Sequence, residues 1–313
     1  MMEMIDHYQP DYVVRFDADA CQCPACQQAP EGWPRVNVAL KNQQRESLAM
    51  ACESAAKAIL LDPEAFNLKV SHAEPQGEQM LSPWDEMLNQ QCINLAVHPS
   101  MPLEVSLYAI GVLLSKAQQY LDKGESDPML LLAMGEQLAM LAEEGILEQQ
   151  FGELPPIPQN SLAALKEMGQ LRLALNLPMA EKMGVMLKLS ELAIMPTSRL
   201  EERLKELELA DTQVLLFTEQ LQIMRNFLIY KLYHDVFPGV ACANYGEAYL
   251  QLVTTFFRIR MLCALGANDE GVLPTQTALV LISALSAWEL QHPVTAEQNT
   301  TSDYSLLCGL SLL

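Results

Sequence analysis

Apolar residues recur at helical intervals along most of the chain, set in stretches rich in leucine, alanine and methionine. Residues 103–121 carry such a stripe and close at Lys123-Gly124. Asp127-Pro128 reads as an N-cap followed by a first-turn proline, opening a helix expected to run to about residue 147. Pro155-Pro156-Ile157-Pro158 interrupts the pattern, and Asn160 is then placed to cap a helix through about residue 175. Further helices are expected over 179–194 and over the charged stretch 198–207, which reads as solvated. The stretch 211–237 is apolar on more than one side and is expected in the middle of a bundle. Helices over 245–265 and 274–292 complete the set.

The first hundred residues are less regular. Tyr12-Val13-Val14-Arg15-Phe16 reads as a short extended piece, and Pro30, Gly32 and Pro34 keep the chain irregular beyond it. Residues 46–61 are rich in helix formers and end at Asp62-Pro63, while the polar stretch 67–80, with Pro75 and Gly77, reads as a linker. No self-similarity of fixed period suggests a solenoid. The expected fold class is therefore all-α, a multi-helix bundle with a short irregular Cys-containing N-terminal segment. The expected division is residues 1–66, holding that segment and the first helix, and residues 67–313, the helical domain.

Charge narrows the partners. Of 313 residues, 39 are acidic and 19 basic, a formal net charge of −20, and nucleic-acid binding needs clustered Lys and Arg instead. Hydrophobic residues make up 50% and charged residues 19%, which excludes global disorder. With 14 glycines, a large cofactor fold with several Gly-rich turns is not expected. The first ten residues lack the basic and apolar regions of a secretory signal, and no uninterrupted apolar run reaches the ~20 residues that cross a bilayer. No membrane partner is expected, the compartment expected is the cytoplasm, and the cysteines should be free or metal-bound thiols. The 17 methionines lie mostly within helical stretches and read as flexible core filler.

The residues by themselves deliver no reaction. There is no Walker A loop, no Gly-x-Gly-x-x-Gly after a strand, no His-Glu-x-x-His and no Gly-x-Ser-x-Gly. The five histidines are scattered, and His234, in Tyr230-Lys231-Leu232-Tyr233-His234-Asp235, reads as a packed or capping residue. The pairs Glu143-Glu144 and Glu201-Glu202 read as helix-surface charges. Of eight cysteines, Cys92, Cys242, Cys263 and Cys308 read as core filler. Cys21-Gln22-Cys23-Pro24-Ala25-Cys26 suggests a metal or iron–sulfur loop, although its spacing is not a full four-ligand signature.

Several stretches taken together carry a family resemblance. Gln9-Pro10-Asp11-Tyr12-Val13-Val14-Arg15-Phe16 followed by the cysteine group resembles the opening of the flagellin lysine-N-methylases. Trp33-Pro34-Arg35-Val36 is similar to their aromatic-Pro-Arg-Val segment, and Arg45-Glu46-Ser47-Leu48-Ala49-Met50-Ala51-Cys52-Glu53 to their Ser-Leu-x-x-x-Cys-Pro-Glu stretch. Ile59-Leu60-Leu61-Asp62-Pro63-Glu64-Ala65 continues the likeness. Far downstream, Arg225-Asn226-Phe227-Leu228-Ile229-Tyr230-Lys231 with Phe237-Pro238 resembles their Asn-x-hydrophobic-x-Tyr helix ending in Phe-Pro, and the helix over 245–265 and the terminal apolar helix follow in the same order. No single motif is highly specific; their order and combination carry the resemblance.

The resemblance implies transfer of methyl groups from S-adenosylmethionine to the ε-amines of flagellin lysines, and an iron–sulfur cluster or zinc held by N-terminal cysteines. The family's pattern has a longer Cys-rich section between its first cysteine group and the aromatic-Pro-Arg segment, whereas here the chain passes from Cys26 to Trp33 within a few residues. The cysteines that remain from the pattern are Cys21, Cys23, Cys26 and Cys52, enough in number for one four-Cys site. Two alternatives accompany this reading: a catalytically degenerate helical binding protein of the same family, and a non-enzymatic helical protein with a structural metal site.

Overall fold

The computed structural model describes residues 4–17, 21–214, 218–268, 270–293 and 301–313. It is mostly helical, but the expectation of an all-α chain is corrected by a four-stranded mixed sheet in the N-terminal region. The strands are β1 (Ile5–Pro10), β2 (Arg35–Ala39), β3 (Gln43–Leu48) and β4 (Leu68–Ala73), in spatial order β2-β3-β1-β4. β1 runs parallel to β3, with Asp6 opposite Gln43, and antiparallel to β4, with Asp6 opposite His72; β2 and β3 form an antiparallel pair.

The sheet escapes an apolar-pattern reading because its strands are polar. β3 buries Gln43, Gln44, Arg45 and Ser47. Three of the four are satisfied: Arg45 Nε donates to Gln43 Oε1 at 2.8 Å and Arg45 Nη1 to Asn89 Oδ1 at 2.9 Å, while the Ser47 hydroxyl meets Tyr12 and His234, each at 2.8 Å; Gln44 Oε1 is buried without a partner among the described residues. Hydrogen bonding of this kind removes the desolvation cost that would otherwise keep such residues out of an interior. β4, read as linker, is an exposed edge strand with Leu68 and Val70 facing water. The helix expected over 46–61 begins only at α2 (Glu53–Leu60), because Glu46, Ser47 and Leu48 finish β3. Pairing with a distant strand there overrides local helix propensity. Of the piece Tyr12–Phe16 expected to be extended, Tyr12, Val13 and Val14 belong instead to one helical turn, α1 (Asp11–Val14).

Helices build the remainder. They are α3 (Pro83–Val97), α4 (Leu103–Asp122), α5 (Pro128–Glu143), α6 (Ile146–Gly152), α7 (Pro158–Met168), α8 (Met179–Ile194), α9 (Thr197–Val214), α10 (Thr218–His234), α11 (Tyr245–Gly266), α12 (Thr275–Gln291) and α13 (Ser302–Leu310). The helix expected from Asp127 to about residue 147 breaks at Gly145, whose φ of 72° lies in the left-handed region that glycine enters without a Cβ penalty. α7 ends at Met168, and Asn160 sits inside it, donating to the Ser311 hydroxyl at 2.7 Å. α9 is longer than the solvated helix expected and buries Leu200, Leu204 and Leu207. Asp211 belongs to α9 and not to the long helix expected over 211–237; residues 215–217 of that stretch lie outside the described residues.

No helix is expected over α3, although Trp84, Leu88, Cys92, Leu95 and Ala96 recur there at helical spacing; its buried face also includes Asn89 and Gln91. Its start nevertheless repeats the signal at Asp127-Pro128: Ser82 accepts from the Asp85 amide and Pro83 opens the helix.

α11 is the centre of the core. Its apolar character over an 18-residue window would suffice for a membrane span by composition, but 67% of that window is buried inside the protein. It packs against α13, α9, α4 and α12. Phe256 and Phe257 are almost fully buried, each worth about 1.5–3 kcal/mol of removed apolar surface. The polar ends of its tyrosines find partners, with Trp84 Nε1 donating to the Tyr245 hydroxyl at 2.9 Å and the Tyr249 hydroxyl donating to the Leu107 carbonyl at 3.1 Å. α13 crosses so closely that a Cβ at Gly246 would strike the Ser302 carbonyl.

Candidate metal centre

Two separate pieces of chain bring four thiols together. The loop at Cys21–Cys26 folds back through Cys26 N–H and Gln27 N–H, both donating to the Cys23 carbonyl at 3.0 and 3.2 Å. This tight turn ends in a short 3₁₀ segment, Cys26–Gln28, and places its three thiols on one side. The fourth, Cys52, follows β3 and stands at the N-cap position of α2, where Ala56 N–H donates to its carbonyl at 2.8 Å. All four sulfur atoms lie within 4.8 Å of one another, and the Sγ atoms of Cys26 and Cys52 are 3.4 Å apart. Cys23 and Cys52 are buried; Cys21 and Cys26 are half-buried. The structure thus converges every cysteine that the family resemblance singled out. The remaining four stay apart from this group: Cys92 is fully buried, and Cys242, Cys263 and Cys308 are partly covered.

The electrostatics are those of a crowded thiol set. Burial pushes the Cys21 thiol up, but hydrogen bonds from Ser54 and from Cys23 outweigh it and bring it down to about 6. Cys26 is held well above the ordinary thiol value by burial and by the neighbouring Cys52 and Cys23. Cys52 is also raised, by burial first, against the Ala55 backbone amide. One thiolate therefore forms readily and suppresses the ionisation of its neighbours, the behaviour of like charges sharing a site. A bound cation removes that repulsion and makes the set a ligand cage.

The donor set fits a soft, tetrahedral metal: four thiolates suit zinc or iron–sulfur chemistry. Zn–S bonds of about 2.3 Å in a tetrahedron separate sulfur atoms by roughly 3.8 Å, a spacing that a group confined within 4.8 Å reaches with small side-chain movements. Cys21 and Cys26 are the more exposed pair of the four.

Residues 89–299, about two thirds of the chain, match the family described as FliB lysine N-methylase C-terminal domain. The chain belongs to the FliB lysine N-methylase family. The lysine-N-methylase of Salmonella typhimurium (strain LT2) is 23% identical over 250 residues, covering 76% of this chain and 62% of the relative. That of Salmonella choleraesuis (strain SC-B67) is 23% identical over 252 residues, covering 77% and 62%. The chain therefore spans about 62% of the length of the curated relatives it matches. No solved structure matches it.

In this FliB-family chain all four thiols precede the matched range, yet residues within that range hold the segment that carries Cys52. Asn226, buried in α10, donates through Nδ2 to the carbonyls of Ile59 (3.1 Å), Leu60 (3.2 Å) and Asp62 (2.9 Å), satisfying the C-terminal end of α2. One turn on, the Tyr230 hydroxyl donates to the Leu48 carbonyl at 3.0 Å and accepts from Met50 N–H at 3.2 Å. It thereby pins the turn that leads into Cys52. The Asn-x-hydrophobic-x-Tyr helix of the resemblance is thus a clamp on both ends of the segment that carries Cys52. His234 completes the row as a packed residue, stacked on Tyr230 at 4.8 Å between ring centroids.

Sequence reasoning did not single out Ser54 or Trp33 as parts of the site. Ser54 hydrogen-bonds the Cys21 thiol, and its position two residues after Cys52, in the first turn of α2, was the available signal. Trp33 and Cys23 line a cavity of about 420 Å³ between the thiol loop and α12, walled by Ala51, Ala284 and Ala287. The Trp33 indole N–H is buried there without a hydrogen-bond partner among the described residues.

Proposed function

We propose that the chain is a cytoplasmic protein-lysine N-methyltransferase that uses S-adenosylmethionine and acts on flagellin, with Cys21, Cys23, Cys26 and Cys52 holding a metal. The observation that carries the reading is the family match over residues 89–299, joined to relatives named lysine-N-methylase. The order of motifs from Gln9 to Pro238 supports the flagellin assignment by resemblance.

A lysine ε-amine has an ordinary pKa of about 10.4 and is protonated near neutral pH, so it must shed a proton before its nitrogen can attack. Burial in a cleft favours the neutral amine. S-adenosylmethionine, when bound, supplies a sulfonium methyl as the electrophile. The amine nitrogen forms the new bond to carbon, the carbon–sulfur bond breaks, and the nitrogen's proton goes to solvent. The protein's part is to align the two partners and exclude water.

For the metal, the compact sulfur spacing favours one tetrahedral ion, and an iron–sulfur cluster is the alternative. Metal analysis of anaerobically purified protein separates them: colourless protein with about one zinc per chain supports the single ion, and iron with visible absorbance supports the cluster.

The test of the function is incubation with methyl-labelled S-adenosylmethionine and flagellin, with label on lysine read by mass spectrometry. Absence of label, with a longer family member active in parallel, overturns it. The shortened passage from Cys26 to Trp33 motivates the second reading, a binding protein without turnover, which the same experiment recognises by flagellin retention without label.

A further inference from the structure

A second cleft, lined by none of the four thiols, runs along the face of α11 that presents Glu247, Gln251, Thr254 and Arg258. Its volume is about 620 Å³, within the range that takes a small ligand or an extended side chain. The charged groups facing it are unevenly matched. Lys231 Nζ is held by Asp235 at 2.6 Å. Arg258 is shared between Glu289 at 3.4 Å and Glu167 at 3.9 Å, and lies over the Trp288 ring at 5.8 Å. Thr255 donates to Glu289 at 2.9 Å. Both fixed cations are therefore already neutralised by the cleft's own carboxylates. Glu247, half-buried in the first turn of α11, is the one carboxylate of the lining with no ion-pair partner among the described residues. His292, at the end of α12, is occupied in stacking on Trp288 at 4.4 Å.

We propose that this cleft seats the side chain of a substrate lysine, with Glu247 receiving its ε-ammonium; the assignment rests on the lysine-methylating reading above. A surplus carboxylate in a partly water-excluded cleft favours a cation. The aromatic members of the lining, Phe237 and Tyr304, suit an alkylammonium in particular. Methylation strips N–H donors from the nitrogen but leaves its charge, so successive products need a carboxylate and an aromatic wall more than a network of acceptors. The chain's net charge of −20 favours the approach of a basic loop to the protein. Phe237 and Pro238 belong to the Phe-Pro motif of the resemblance, which gives that motif a place in the cleft wall.

The test is a fluorescence-anisotropy titration of the full chain with a short labelled peptide carrying one lysine, and with the same peptide carrying acetyl-lysine. Wild type should bind the lysine peptide about tenfold more tightly, as expected for a partly desolvated charge-assisted contact. Glu247→Gln should lose that preference with an unchanged melting temperature, and Glu191→Gln, on exposed α8, should keep it. Retention of the full preference by Glu247→Gln, or its absence from wild type, overturns the proposal. A Glu247-dependent preference in a protein that transfers no methyl upholds the lysine seat and removes the methyltransferase reading instead.

Discussion

Tyr230→Phe isolates one polar clamp without altering the packed ring. The substitution keeps the stacking on His234 and the contact with Phe227, and removes only the hydroxyl. That hydroxyl serves two buried backbone groups, the Leu48 carbonyl at 3.0 Å and Met50 N–H at 3.2 Å, in a turn where Leu48 and Met50 are 0% and 2% exposed. No water reaches either group easily, so each is left with a desolvation cost of about 1–3 kcal/mol. Partial relaxation of the turn reduces the sum, and a loss of about 2–4 kcal/mol is expected. Urea denaturation should show it as a lower midpoint at unchanged slope. Because the turn leads directly into Cys52, buried at 0% exposure, the metal-free variant should also expose that thiol to a thiol reagent faster than wild type does. A stability loss below about 0.5 kcal/mol, with unchanged thiol reactivity, would refute the view that α10 holds the metal-ligating segment in place.

Cys52→Ala should lower bound metal to well below that of wild type, measured by elemental analysis after anaerobic purification, whereas Cys92→Ala should leave metal content unchanged because Cys92 stands apart from the thiol group. Arg260→Met should cost about 3–5 kcal/mol in chemical denaturation, because Arg260 Nε donates at 2.8 Å to an Asp211 carboxylate that is 1% exposed. Adding Asp211→Asn should recover much of that loss. Burial lowers the His234 pKa below its ordinary 6.5, which makes the unfolded state bind more protons between the two values. Its contribution is therefore complete above about pH 6.5 and is lost as pH falls towards the folded value; denaturation midpoints of wild type should drop over that range more steeply than those of His234→Gln.

Helices that stand on their own apolar stripe were legible residue by residue. α8 begins and ends where the pattern says, and α11 and α12 do so within one or two residues. The Asp127-Pro128 start also holds. The helix expected across the end of β3 needed correction because polar residues there are buried against distant partners, whereas the expected helix from Asp127 was cut short by the left-handed Gly145. Arg45 and Ser47 are interior only because Asn89, Tyr12 and His234 meet them. Asn89 itself is interior because it donates to the carbonyls of Leu232 and Phe237, both at 2.8 Å. A period-based reading sees such residues as solvent-facing, and so takes the end of β3 for the start of a helix.

The candidate site divides in the same way. Residue types and motif order alone picked out the four cysteines that the structure brings together, since thiols are rare and Cys21, Cys23 and Cys26 are close in sequence. They could not determine that Cys52 meets them, because that contact depends on the polar sheet that delivers β3 beside the loop and on the Asn226 and Tyr230 clamp from α10. The lysine cleft is still more remote from sequence. Its distinguishing feature is a carboxylate left over after its neighbours have paired, and pairing is settled only when α7, α10, α11 and α12 pack together. Sequence by itself determined the helical composition, the acidic charge and the identity of the thiols, because these follow from local propensity and residue count. Tertiary structure decided which polar groups are buried and which charges remain unpaired, because both depend on partners that packing brings together from separate elements, as His234 to Ser47 and Glu289 to Arg258.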